Sequence, residues 1–243
     1  MMMAAQGMSG GAAEWTEAGQ ASSARMTGVA AIALAVAFNV PFSVLGAIYD
    51  YPDILRRPAA EALSKFVAGG PVLILTWHAF MLCALALAVM APALAVSQRR
   101  LATRPALAVG AAVIGALAGL AQAVGLARWV FAVPALAQDG GPAAEQAFNL
   151  LNARGGVAIG EHIGQLLTAI FVIQVAMLQA GEGRRIAAPV GLLSGVLLIA
   201  GSGEGLALAL AAPGELFALT TIAGFVGLTL WLITTGVGLI RNR

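Results

Sequence analysis

An all-α bundle of six membrane-spanning helices is the fold class this sequence predicts, and three observations predict it. Of its 243 residues 60% are hydrophobic and only 10% charged, against roughly 25% charged in a soluble domain. A water-soluble chain of this length could not cover its surface with so few charges. Six apolar segments reach the roughly 20 residues that a helix needs to cross a hydrocarbon core about 30 Å thick. The alternation that marks the strands of an outer-membrane barrel is absent. The same composition excludes an ordinary cytosolic enzyme and a disordered chain. With 13 basic against 11 acidic groups, the balance also argues against nucleic acid as a partner. The single cysteine, Cys83, leaves no disulfide framework or thiolate metal cluster.

Residues 1–27 are rich in Gly, Ala, Ser and Met and read as a disordered cytoplasmic tail, and residues 28–243 as the transmembrane domain. The tail is not a cleaved leader, because it is polar and the run that follows is long enough to span. Span 1 (28–49) contains Asn39 and Pro41; the proline should kink it and free a carbonyl that needs another partner. Span 2 (71–97) follows the stretch PAAEALSKFVAGG at 58–70. Span 3 (106–137) is longer than a bilayer requires, so its end should project beyond it. Span 4 (157–180) follows a second such stretch, PAAEQAFNLLNARGG at 142–156. Proline at the start and glycine past the end are helix punctuation. In the second stretch Glu145, Asn149 and Asn152 share one face, and Ala144, Phe148 and Leu151 another. Both read as short amphipathic helices at the outer surface, either lying on the bilayer or capping the bundle. Spans 5 (187–211) and 6 (216–240) complete the set. Small-xxx-small pairs at Gly115/Gly119, Gly191/Gly195 and Gly201/Gly205 let helices approach closely. The two proline-led stretches are 84 residues apart, as are His78 and His162, a weak sign of repeated helical hairpins.

Lysine and arginine set the orientation. Arg25, Arg99, Arg100, Arg104, Arg184, Arg185, Arg241 and Arg243 fall on one side, and Arg56, Arg57, Lys65 and Arg154 on the other. The richer side is cytoplasmic, so both termini are inside. Asp50, Asp53, Glu61, Asp139, Glu145 and Glu215 then lie outside.

Ionisable groups within a membrane are costly and are functional candidates. Arg128 lies roughly 33 Å along span 3, beside Trp129, at the outer interface. Glu161 and His162 sit about 6–8 Å below the outer end of span 4, and Glu204 about 26 Å up span 5. His78 sits about 10 Å down span 2. All fall in the outer leaflet. Glu161, Gln165 and Thr168, at i, i+4 and i+7, line one face of span 4. Arg128 is expected within salt-bridge reach of Glu161 or Glu204. The group reads either as a lock between spans 3, 4 and 5 or as a polar pocket open to the outside. His78 and His162, on different spans at similar depth, also match the axial pair of a b-type haem. Zinc would need a third ligand that is not at this depth. No phosphate loop or H-E-x-x-H occurs, and GSGEG at 201–205 is not a nucleophile elbow.

D-Y-P-D-I-L-R at 50–56, R-W-V-F-A-V-P at 128–134 and G-E-H-I-G at 160–164 resemble a bacterial family of small six-span integral membrane proteins known only as a domain of unknown function. The resemblance covers most of residues 28–240. It implies a bacterial inner-membrane location and no established activity, and it points to Asp50, Asp53, Arg56, Arg128, Pro134 and Glu161. Three functional readings follow. The first is a non-enzymatic inner-membrane protein whose cluster of Asp50, Asp53, Arg56, Arg128, Glu161, His162, Gln165 and Glu204 meets a membrane-protein partner, a second copy of the chain or a small amphiphile. The second is a redox protein holding haem between His78 and His162. The third is a small proton-coupled transporter or lipid-modifying enzyme with Glu161 or Glu204 as proton carrier.

Overall fold

The computed structural model describes residues 4–241, with side chains from residue 21 onward. Helix α1 runs Ala4–Tyr49. Residues 1–3 of the expected tail lie outside the described residues. From Ala4 the backbone is helical, and the alanines, methionine and glutamine of this stretch are good helix formers. The part apolar and long enough to cross a membrane is Ala21–Tyr49. Pro41 lies inside this helix. It cannot donate to the Ala37 carbonyl, which instead accepts from Cys83 Sγ at 3.3 Å.

Helix α2 runs Ala59–Ala95 and is broken at Gly70 (φ 54°, ψ −150°). Only glycine enters that conformation without a Cβ penalty. Pro71 restarts the helix beyond it, so the segment ahead of the break is the first proline-led amphipathic stretch. A short helix α3 (Gln98–Thr103) is capped by Ser97, whose hydroxyl accepts from the Arg100 N–H. Helix α4 (Pro105–Phe131) bends at Ala132 into α5 (Val133–Asp139), the projecting end of span 3. Helix α6 (Gly141–Leu151) runs without a break into a π-helix (Asn152–Ile163) and then α7 (Gly164–Gly181). Helix α8 (Ala187–Gly201), α9 (Gly203–Ala209) and α10 (Glu215–Arg241) follow. Among the described residues six helical stretches are long and apolar enough to cross a membrane.

Small residues bring these helices together. A Cβ on Gly119 would lie 2.5 Å from both the Ala84 carbonyl and the Ala88 nitrogen, and one on Gly115 would lie 2.6 Å from the Ala91 Cβ. Helix α4 therefore sits against α2 at nearly backbone distance. The α7, α8 and α10 group adds buried hydrogen bonds. Gln179 donates to Thr235 Oγ1 at 2.9 Å and accepts from the Trp231 indole at 3.0 Å, and Ser194 donates to the Gly224 carbonyl at 2.8 Å. Bonds of this kind are weak individually in a membrane but give these polar side chains partners within the bundle.

Among the described residues two large apolar cores result, with a small cluster of Met81, Ala84 and Ala123 beside them. One is built around Leu87, Phe171 and Trp231, and the other around Tyr49, Trp77 and Trp129. Both amphipathic stretches cap the second: Ala62, Leu63 and Phe66 from one, and Ala144 and Phe148 from the other, are buried in it. Their apolar faces are turned into protein. The outward faces of the long helices are apolar too, with Val89 78% and Leu193 61% exposed, as expected where lipid takes the place of water. At the end remote from this capped core, Arg100 makes a bidentate pair with Glu182 (2.6 and 2.8 Å) and donates to the Leu94 carbonyl.

Candidate functional site

The chain between α1 and α2 folds back over the bundle. Asp50 takes a left-handed backbone (φ 52°), which Asp tolerates better than most residues. Tyr51 N–H then donates to the Leu45 carbonyl, and a 3₁₀ turn over Asp53–Arg56 follows with Ile54 buried beneath it. The turn directs Arg56 inward. Its Nη2 meets Glu161 Oε2 at 2.6 Å and Glu204 Oε1 at 3.0 Å. One guanidinium thus ties the α1–α2 loop to the π-helix and to α9. Burial works against its charge, but the two glutamates more than offset this and hold its pKa above the ordinary value.

Asp50 stays apart from this group. It pairs with Lys65 and with Arg57 (3.0 Å), and Arg57 also meets Glu61 at 2.8 Å. These contacts pin the loop to the amphipathic start of α2. The Lys65 hydrogen bond, followed by the nearby charges of Lys65 and Arg57, holds the Asp50 carboxyl below its usual range.

Arg128, on the last turn of α4, is 7% exposed. It donates from Nη1 to the Gly125 carbonyl and from Nη2 to Asn152 Oδ1 at 3.1 Å. Asn152 in turn donates to the Leu55 carbonyl at 3.4 Å, which joins the π-helix to the loop. Glu161 Oε1 is 4.0 Å from Arg128 Nη2. The expected pairing therefore exists only at the edge of reach, and Arg56 takes both carboxylates at shorter range. Glu204 has no bridge to Arg128 among the described residues. Space for the Arg128 guanidinium comes from Gly156, where a Cβ would lie 2.5 Å from Nη2. Gly125 and Gly160 likewise touch backbone to backbone, with a Cβ on Gly125 falling 2.6 Å from the Gly160 Cα.

These groups border a cavity of about 270 Å³ to which all six spans contribute. Asp53, Arg56, Arg128, Glu161 and Glu204 form its charged part. Asn39, Gln122, Gln165 and Thr221 add polar groups, and Phe38, Phe42, Tyr51, Trp77, Phe80, Phe225 and Trp129 form an aromatic wall. Trp77 and Trp129 stack with centroids 4.7 Å apart, and Tyr51 meets Trp77 edge-on at 5.3 Å. Burial, and then the charge of Glu161, raise the pKa of the Tyr51 phenol. Gln165 donates to the Leu198 carbonyl and to Thr221 Oγ1, and Gln122 donates to Thr168 at 2.6 Å.

The two histidines lie elsewhere. His162 Nδ1 is hydrogen-bonded to the Ser202 carbonyl at 2.9 Å, and His78 Nδ1 is buried without a partner among the described residues. Neither lines the cavity. Among the described residues no three His, Cys, Asp or Glu side chains gather to hold a metal.

Asn152, Tyr51 and Gln122 are site residues that sequence reasoning missed. A polar glutamine in the middle of apolar span 3 was a usable signal. Tyr51 lies within the D-Y-P-D-I-L-R stretch that carries the resemblance, where only Asp50, Asp53 and Arg56 were singled out. No curated protein and no solved structure matches this chain. A family model, however, matches residues 26–236, which takes in spans 2 to 5, most of the first and last spans and every residue of the cluster, so the chain belongs to the family described as Domain of unknown function (DUF4386).

Proposed function

We propose that this protein is a non-enzymatic membrane protein that binds a small amphiphile in the cavity between its six helices. It resides in the bacterial inner membrane, with both termini cytoplasmic and the Arg56 end outward. The single observation that carries the reading is one cavity bordered both by charged groups and by a broad aromatic and aliphatic wall. A purely structural lock needs the ion pairs but not the space beside them. Ligand sites combine a mostly apolar surface with a few fixed polar groups, and an amphiphile is the ligand that presents both characters to such a wall. The Lys/Arg asymmetry supports the orientation.

Trp77 and Trp129 both line the cavity, so a bromine-bearing lysolipid bound there should quench their fluorescence. The expected result is saturable quenching of protein in lipid nanodiscs. It should weaken in Ala218→Phe, which adds bulk at the cavity wall, and stay unchanged in Val89→Phe on the outer face of α2. Absence of saturable quenching in the wild type, or equal quenching in both variants, overturns the reading.

A further inference from the structure

A buried cation needs a counter-charge or a full set of acceptors. Arg128 has neither in full. Its side chain is 6% exposed, yet its nearest carboxylate oxygen is 4.0 Å away. Its Nε is buried with no acceptor among the described protein atoms. Both glutamates of the cavity are already engaged by Arg56. The same wall carries two more buried donors without acceptors, the indole N–H groups of Trp77 and Trp129. The Arg128 guanidinium carbon lies 5.1 Å from the Trp129 ring centre. Among the described residues of this wall, three orphaned N–H donors therefore stand against one orphaned carboxylate oxygen, that of Glu161. The shortage is of acceptors.

The α1 and α10 side of the cavity is mostly apolar, with Phe38, Phe42, Ile222, Phe225 and Val226 beside the polar Asn39, Thr221 and Thr229. A shallow groove on the outer face of these two helices, lined by Val36, Val40, Val44 and Ile233, shares Ala35, Asn39 and Thr229 with the cavity. The Asn39–Thr229 hydrogen bond, 3.0 Å, lies at the shared boundary. Lower down, the two helices touch backbone to backbone, since a Cβ on Gly28 would lie 2.6 Å from the Gly236 carbonyl. Between the cavity and lipid on this side of the bundle lies only the α1–α10 seam, apolar apart from the Asn39–Thr229 pair.

Resting on the amphiphile reading above, we infer that the ligand is a single-chain amphiphile whose head carries anionic acceptor oxygens, a carboxylate or a phosphate. The head sits on Arg128 beside the Trp77 and Trp129 indoles, and the tail runs along the α1–α10 seam. A guanidinium and a carboxylate or phosphate form charge-assisted bonds about twice as strong as neutral ones, so the head group, not the tail, should dominate discrimination.

The test uses the full chain in neutral phosphatidylcholine nanodiscs, with Trp15→Phe and Trp231→Phe so that only the two cavity tryptophans report. Dibromostearate, its methyl ester and a dibromoacyl lysophosphatidate are titrated in parallel. At least one anionic probe should quench at concentrations about tenfold or more below the ester, and which of the two does so identifies the source of the head group. Arg128→Met should bring the probes to parity, while Arg128→Lys keeps part of the preference. If Arg128→Met does not fold, the wild-type ranking still decides. Equal quenching by ester and anions overturns the acceptor-head inference and leaves the amphiphile reading standing. A preference that survives intact in Arg128→Met overturns the role given to Arg128. No quenching by any probe overturns the amphiphile reading itself.

Discussion

At the scale of single residues, Arg56 and Arg128 have opposite characters although both are cations bordering one cavity. Arg56 comes from a loop, keeps 29% of its side-chain exposure and holds two carboxylates. Arg128 comes from a helix, is almost fully buried and holds only neutral acceptors at bonding distance. Replacing Arg56 by Met strands Glu161 and Glu204 together. Because the bridges are part-exposed, the cost should fall between that of a surface and a buried pair, about 1–3 kcal/mol. Thermal unfolding in detergent should show it, and Arg185→Ala, an exposed change of equal charge, should shift the midpoint far less. Equal shifts would refute the bridging role. Asp50 gives a pH prediction. Its folded pKa is lowered from 3.8, first by the Lys65 hydrogen bond, so the loop clamp is fully present above about pH 4 and is lost as pH falls through the lowered value. Asp50→Asn should therefore bring the midpoints at pH 6 and pH 3 closer together than in wild type; an unchanged gap counts against the clamp. The sequence showed that spans 3, 4 and 5 bring charges to one level, because depth follows from counting residues at a fixed rise. It could not show that Arg56 would reach both glutamates, because a loop that folds back has no period from which to read its return.

At the scale of elements, the spans were legible because bilayer thickness fixes a minimum apolar length, and nothing in the chain competes with that signal. The amphipathic stretches were legible from proline and glycine punctuation, and Gly70 breaks α2 just ahead of Pro71. The π-helix at Asn152–Ile163 was not legible. Its widened turns arise where Gly156 makes room for Arg128 and Gly160 meets Gly125, contacts between segments far apart in the chain. Such π-segments recur at functional sites, and this one carries Asn152 and Glu161. The α2–α4 contact is the element-scale feature most open to test. Gly119→Val adds atoms where a Cβ already falls 2.5 Å from α2 backbone, and backbone cannot swing aside as a flexible side chain can. Overpacking of this kind costs about 1–3 kcal/mol or prevents assembly. The monodisperse yield on size-exclusion chromatography should drop sharply. Gly110→Ala, whose Cβ would meet nothing nearer than 3.9 Å, should behave as wild type. Equal yields would mean that the two helices are not held at this distance.

The whole molecule has two unlike ends, and the side from which a ligand can reach the cavity depends on which of them faces outward. One end carries Arg56, Glu161, Glu204 and the aromatic core capped by the amphipathic stretches. The other carries the Arg100–Glu182 pair and most of the basic residues. Basic loops resist translocation, so the second end should be cytoplasmic. A cavity whose charged groups stand at the opposite end would then meet amphiphiles from the outer leaflet. Arg99 and Gln146 are both exposed and belong to opposite ends. With Cys83 replaced by Ser, whose hydroxyl can still donate to the Ala37 carbonyl, Arg99→Cys and Gln146→Cys give two single-cysteine proteins. An impermeant maleimide added to spheroplasts should label the Gln146 site and reach the Arg99 site only after lysis. The reverse pattern would turn the molecule over, place the cavity's charged end toward the cytoplasm and move the source of any bound amphiphile to the inner leaflet. Labelling of both sites before lysis would mean that the chain does not cross the membrane between them at Pro105–Asp139, or that molecules insert in both orientations.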